Sequence, residues 1–287
     1  MLALPAFFFL PFDSGLGNQL FIAAAASAYS EHSKRKSILV VDRVKSQKRH
    51  GWFLDLVSLN STRVWTGLTA TLLSRTVNLV FVKSTKFRAI FDWQTAGGAQ
   101  EEARFFESRA IIFRGYFQTS NIKVPFEFHP PHMLINREFD PAVDVAIHVR
   151  RGDYLDPLNR ERYGLVRVAD LLREGSLLAD DTGGQLVVFS DSPELVRRQI
   201  SELPETPHCQ TIKFISGGPT LRSPIEELAL MSEFQNLVIS NSTFSLWAGR
   251  LGSKAKSVVA PRRWFKSGQQ PRGIIPRGWK AASMAHE

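Results

Sequence analysis

The stretch Val143-Asp144-Val145-Ala146-Ile147-His148-Val149-Arg150-Arg151-Gly152-Asp153-Tyr154 passes from apolar to charged within a few residues. A run of small and β-branched apolar side chains reads as a strand covered on both faces, as in a parallel sheet. Val143 to Val149 is therefore expected to be such a strand, with the charged residues at its carboxyl end. Downstream the rhythm repeats. Leu165 to Arg173 reads as a helix, Leu186 to Phe189 as a strand, and Pro193 to Ile200 as a helix with Ser192 at its N-cap and Pro193 at its first position. Ser223-Pro224-Ile225-Glu226 is a capping-box-like start for a helix running to about Asn236. Leu237 to Ile239 follows as a strand, Phe244 to Leu251 as a helix, and Ser257 to Ala260 as the final strand. Strands separated by helices, with right-handed crossovers, imply an α/β fold with a doubly wound, mostly parallel sheet.

Upstream, Ala6 to Phe12 is a continuous apolar run, Asp13-Ser14-Gly15-Leu16-Gly17-Asn18 is turn chemistry, Gln19 to Ser30 favours helix, and Ile38 to Val41 is a short buried strand. That is a βαβ opening. Between residues 50 and 140, helices are expected near Leu54–Leu59 and Leu68–Leu73, and strands near Leu79–Val82 and Ala110–Phe113. Val124 to Pro141, with Pro125, Pro130, Pro131 and Pro141, is the candidate linker, giving domains 1–140 and 141–287. A chain of 287 residues is long enough to bury two cores. Met1 to Phe12 contains two prolines, lacks a basic flank and is too short to span a bilayer, so a cytoplasmic protein is expected. Cys209 stands alone, which excludes an internal disulfide or a cysteine-rich metal site and leaves an ordinary thiol.

Lys plus Arg number 36 against 27 Asp plus Glu, a formal charge of +9. Nine basic residues lie between Arg250 and Lys280, with no acid until Glu287. A second cluster comprises Lys34, Arg35, Lys36, Lys45, Lys48 and Arg49. Such charge attracts nucleic acid, anionic lipid or phosphorylated small molecules through one Coulomb term, or is simply a solvated surface. Trp264 and Trp279 are too far apart to form the stacking platform of a single-strand binder, so no nucleic-acid partner is expected. With Phe265 they suit peripheral attachment at the inner face of an anionic membrane, the alternative being that Trp264 and Phe265 are core residues.

In a doubly wound sheet, ligands sit beyond the carboxyl ends of the strands. Three such ends are polar. His148 and Arg150 fall on one face by alternation and Arg151 on the other, so one arginine can face a phosphate in bidentate geometry while its neighbour pairs with Asp153. Ser190-Asp191 follows the middle strand, where Asp191 is either an acceptor for guanine or ribose or a helix-start charge. Ser240, Asn241, Ser242, Thr243 and Ser245 lead into a helix N-terminus, which favours an anion, although one hydroxyl would serve as a cap. Gly15, Gly17, Asn18 and Gln19 form a loop that fits only two positions of GxGxxG, because Leu20 occupies the third glycine site. A dinucleotide fingerprint is therefore disfavoured, while Asn18 and Gln19 can bond sugar hydroxyls. There is no GxxxxGK[ST], no HExxH and no DxD-like clamp, so neither a P-loop nor a metal is indicated.

Taken in order, Gly15-Leu16-Gly17-Asn18-Gln19-Leu20-Phe21, Gly115-Tyr116-Phe117-Gln118, His148 to Tyr154, Phe189-Ser190-Asp191, and Ile239 to Trp247 resemble the marks of the α-1,2-fucosyltransferases. The resemblance implies a GT-B fold of two Rossmann-like domains facing across a cleft, GDP-β-L-fucose as donor, and inverting transfer to the 2-hydroxyl of a galactoside-containing glycan. It also implies that neither a metal nor another cofactor is required. Carried over, His148 and Arg150 touch GDP with Arg150 on the β-phosphate, and Thr243 and Ser245 hold phosphate. Asp191 reads guanine or ribose, with Arg151, Ser190, Asn241 and Ser242 completing the donor set. Arg150 would stabilise the departing GDP, and Asp153 or Asp13 could serve as base. The loop at Gly15 and Gly17 would border the cleft from the other domain. Asp191-Ser192 stands where the family carries two aspartates, and Leu246-Trp247 where it carries Trp-Trp. The alternatives are another GDP-sugar as donor, or a nucleic-acid-binding protein using the basic C-terminal stretch.

Overall fold

The structure is a computed structural model that describes residues 4–11, 14–42, 52–59, 61–81, 90–93, 99–119, 121–124, 126–130, 139–204, 211–215, 223–267, 270–271 and 273–287. Two compact units are present, Met1–His129 with Pro271–Ile274, and Pro130–Gln270 with Ile275–Glu287. The division falls ahead of residue 140 because Phe139 already stacks on Phe234 of the second unit, ring centroids 5.6 Å apart.

The first unit runs β1 (Ala6–Leu10), α1 (Leu16–Ser33), β2 (Ser37–Val41), β3 (Val57–Leu59), β4 (Thr62–Trp65), α2 (Leu68–Phe81), β5 (Ile90–Trp93), α3 (Ala99–Glu107), β6 (Ile112–Gly115) and β7 (Phe126–Phe128). Five strands form one parallel sheet in the order β4-β2-β1-β6-β5, while β3 and β7 make a separate antiparallel ribbon. The strand order reverses between β1 and β6. A stacked pair, Phe8 and Phe113 at 4.6 Å, anchors an aromatic core with Tyr29, Phe105 and Phe117. Two expectations fail here. Leu54–Leu59 holds a single 3-10 turn, Phe53–Asp55, followed by β3, and Leu79–Phe81 is the last turn of α2 rather than a strand. Short apolar runs do not distinguish strand from buried helix, and these were decided by their neighbours.

The second unit runs β8 (Val145–Val149), α4 (Pro157–Arg162), α5 (Val168–Thr182), β9 (Leu186–Ser190), α6 (Pro193–Ser201), β10 (Ile212–Ile215), α7 (Pro224–Ser232), β11 (Asn236–Val238), α8 (Thr243–Leu251), β12 (Ser257–Pro261) and β13 (Lys280–Ala282). All six strands are parallel, in the order β10-β9-β8-β11-β12-β13. This is the doubly wound arrangement expected from the alternation, with its reversal between β8 and β11. Strands β8 and β9 are buried along their whole length, as continuous apolar runs require. The capping box at α7 is present: Ser223 Oγ accepts the Glu226 N–H, and Glu226 accepts the Ser223 N–H at 2.8 Å. Ser257–Pro261 is not the final strand, since β13 adds an edge to the sheet.

Candidate functional site

The site is assembled where β8 and β11 end side by side. His148 is buried near the end of β8, and its Nδ1 lies 2.9 Å from Ser240 Oγ just past β11. Burial, and then the nearby Arg150 charge, pull its pKa down to about 3, so the imidazole is neutral at physiological pH.

Two residues on, Arg150 extends from the strand end toward three groups. Its Nη1 lies 2.7 Å from Asp191 Oδ2, its Nη2 bonds Asp153 Oδ1, and its guanidinium carbon stands 5.4 Å from the Tyr154 ring centre. Burial works against the charge, but the carboxylates of Asp191 and Asp153 outweigh it and hold the guanidinium above its usual pKa. Arg151 turns the other way. It is fully buried, donating from Nε to Gln199 Oε1 at 2.9 Å and from Nη1 to the Arg150 and Val166 carbonyls. Opposite faces were expected; the pairing is the reverse of the simplest version, because the arginine with access to solvent is also the one that pairs with Asp153. Arg151 is thus a buried fastener between the β8 loop, α6 and the segment before α5, with no exposed surface for donor binding.

The turn that follows depends on Gly152, whose φ is +28°. A Cβ there would collide with Asp191 Oδ2. Next comes a 3-10 turn, Gly152–Leu155, from which Tyr154 stacks on Tyr163 at 5.0 Å and donates its hydroxyl to the Asn241 carbonyl at 3.2 Å. Burial raises the Tyr154 phenol well above its ordinary pKa. The ring therefore joins the β8 loop to the β11 loop. Sequence patterning quoted Tyr154 without giving it a role, and nothing marked Tyr163 or Gln199 as partners, since such contacts join residues remote in sequence.

Beyond β11, Ser242 is the N-cap of α8 but makes no side-chain cap bond. Thr243 occupies the first helical position and is half-buried, Ser245 donates to the Ser242 carbonyl at 3.2 Å, and Asn241 donates its amide to the Tyr163, Gly164 and Trp264 carbonyls. The hydroxyl-rich run thus divides. Ser245 and Asn241 hold the loop, and an α8 start without a side-chain cap, flanked by Ser242 and Thr243, is left to meet an anion. Ser190 accepts the Ser192 N–H at 3.1 Å, and Ser192 Oγ accepts the Gly152 N–H at 3.4 Å, so the residues after β9 also serve the β8 loop.

In the first unit, the glycine loop and Gly115-Tyr116-Phe117-Gln118 come together where that sheet's order reverses. Gln118 Nε2 donates to Asn18 Oδ1 at 2.9 Å. Gln19 is fully buried, donating to the Ser14 carbonyl and accepting the Phe53 N–H, so it shapes the loop rather than meeting a sugar. Gly15 caps α1, and Gly17 lies buried in its first turn. Asp13 and Cys209, with Lys45, Lys48 and Arg49 of the second basic cluster, lie outside the described residues. Asp42, just past β2, carries no role in the sequence reading; it is buried, and its Oδ1 has no hydrogen-bond partner among the described residues.

Three cations of the basic C-terminal segment are tied to the fold, while most of its other described Lys and Arg residues are exposed. Lys280 pairs with Glu174 at 2.9 Å, Lys254 with Glu233 at 2.7 Å, and Arg250 lies over the Trp247 ring, its pKa pulled down by burial to about 10. Trp264 and Phe265 are buried, which corrects the reading of them as rings at a membrane surface. Among the described residues no helix is long and apolar enough to cross a membrane, and no group of three or more His, Cys, Asp or Glu is placed to hold a metal ion.

Two α/β units built on parallel sheets, one carrying a cationic loop beside a helix start at its reversal point, give the chain a GT-B fold. The chain belongs to glycosyl transferase family 11, whose model matches residues 133–280, slightly more than half of it. It is similar to the O-antigen biosynthesis glycosyltransferase WbnK of Escherichia coli, 23% identical over 88% of this chain and 93% of that protein. Among solved structures it is similar to a mutant of Arabidopsis thaliana FUT1 in complex with GDP, TM-score 0.50 and 14% identity over 95% of this chain and 75% of that one. It is also similar to the fucosyltransferase NodZ from Bradyrhizobium, TM-score 0.46 and 11% identity over 85% and 91% of the two chains.

Proposed function

We propose that the chain transfers L-fucose from GDP-β-L-fucose to the 2-hydroxyl of a galactoside-containing glycan, with inversion, forming an α-1,2 linkage. The observation that carries this reading is Arg150, held by two carboxylates at the end of β8 next to the α8 start. A diphosphate leaving group needs donors fixed in advance where its charge develops, and a guanidinium beside a helix N-terminus supplies them without a metal. In the reaction the bond from the fucose anomeric carbon to the β-phosphate oxygen breaks, the bond to the acceptor oxygen forms on the opposite face, and the acceptor proton is released. Asp153, 60% exposed at its side chain and sharing the Arg150 guanidinium, is the carboxylate assigned to that proton. Neutral His148, oriented by Ser240, contributes a ring nitrogen to the GDP moiety, and Ser242 and Thr243 add hydroxyls for its phosphates. Family membership and the GDP complex of the Arabidopsis thaliana FUT1 mutant support the donor class.

Calorimetric titration tests the donor site. GDP should bind the wild type, and Arg150→Ala should weaken that binding about 10- to 100-fold, the worth of one charge-assisted contact. Equal GDP affinity in the two proteins would remove Arg150 from the site.

A further inference from the structure

We infer that Asp191 is a positioning residue for Arg150 and not a reader of the nucleoside, an inference that rests on the GDP-binding reading of the same site. Register places it. Val149 pairs with Ser190 across β8 and β9, so Arg150 and Asp191 are the next residues out of two adjacent parallel strands. Both carboxylate oxygens are engaged there. Oδ1 accepts the Arg151 N–H at 2.8 Å, and Oδ2 takes Arg150 Nη1 at 2.7 Å. A carboxylate that reads guanine offers both oxygens to the N1–H and N2–H edge, and this one has turned both toward the neighbouring loop.

The loop is shaped around that carboxylate. Gly152 sits at φ +28°, and any side chain there would displace Asp191 Oδ2. Ser192, standing where the family carries a second aspartate, accepts the Gly152 N–H. Both residues after β9 therefore fix the backbone and guanidinium of the β8 loop. An arginine fork is long and flexible, and it acts as a preorganised donor only if something holds its plane. Asp191 does so, leaving the more exposed Asp153 as the partner a phosphate can displace.

The test compares GDP with inorganic pyrophosphate. Asp191→Asn keeps the shape and removes the charge, and by this inference it weakens both ligands by the same factor, tenfold or more, and lowers kcat. A nucleoside-reading Asp191 would instead weaken GDP while leaving pyrophosphate unchanged, and that result would overturn the inference, as would unchanged affinity for both. Gly152→Ala, which crowds the carboxylate without altering its charge, is the second variant and should show the same parallel loss. In an Arg150→Ala background Asp191→Asn should cost no further pyrophosphate affinity; an additive loss would contradict the role. A wild type that bound pyrophosphate but not GDP would overturn the donor reading while leaving the Asp191 comparison readable on pyrophosphate.

Discussion

His148 Nδ1 and Ser240 Oγ meet at 2.9 Å, and that single bond ties together the carboxyl ends of β8 and β11, the two strands between which the sheet order reverses. It sets the spacing of the site, because Arg150 follows one partner by two residues and the α8 N-cap, Ser242, follows the other by two.

The buried imidazole makes stability fall in acid. Its folded pKa, about 3, lies below the ordinary value of 6.5, so between those values the unfolded chain binds a proton that the native state refuses. Stability rises with pH through this window and is lost as pH falls below 6.5. Between pH 7 and pH 5 this one group removes about 2 kcal/mol. Urea titrations should show His148→Gln losing less stability than wild type over that interval by about this amount, and parallel losses would contradict the neutral buried state.

Gly15 separates fold from function. Its backbone, φ −60° and ψ 154°, suits any residue, and a Cβ there meets nothing within 4 Å. Gly15→Ala should leave the melting temperature unchanged or slightly higher, since it restricts the unfolded chain by about 0.4–1 kcal/mol. Transfer activity should nevertheless fall if the loop lets a ligand approach closely, and steady-state kinetics beside a melting curve reads both.

Trp279 is part of the packing of α8. A Cβ on Gly249 would lie 2.7 Å from the indole, too close for a rigid ring to yield cheaply. Gly249→Ala should therefore destabilise the protein by about 1–3 kcal/mol despite the better helix propensity of alanine. A stabilised variant in chemical denaturation would show that the indole moves freely.

Activity should persist in EDTA, because Arg150 and the start of α8 supply the positive potential that a diphosphate needs. Mass-spectrometric product assays with and without chelator check this; loss restored by Mn²⁺ or Mg²⁺ would contradict it.

Much of the second unit was legible because strands buried on both faces leave uninterrupted apolar runs, and because Ser192-Pro193 and Ser223-Pro224-Ile225-Glu226 mark helix starts chemically. Strands β10 and β13 left no such mark. The first is only half-buried, and the second is three residues long with a lysine, as edge strands tolerate. At the site, His148, Arg150 and the α8 start could be placed from strand ends alone. The partners could not: alternation put Arg151 on the face opposite Arg150, but its bond to Gln199 and the turn of the Asp191 carboxylate toward the β8 loop join residues 40 or more apart in sequence, beyond a chain that leaves the strand at Arg151 (φ −129°, ψ −82°) and Gly152.

Incubation of the purified protein with a panel of GDP-, UDP- and CMP-sugars and β-galactoside acceptors, read by mass spectrometry, decides the donor and the linkage. GDP-β-L-fucose should give a product heavier by one deoxyhexose, attached through the galactose 2-hydroxyl in α configuration, and Arg150→Ala should greatly reduce it. Transfer from a UDP- or CMP-sugar with none from GDP-β-L-fucose would contradict the proposed activity.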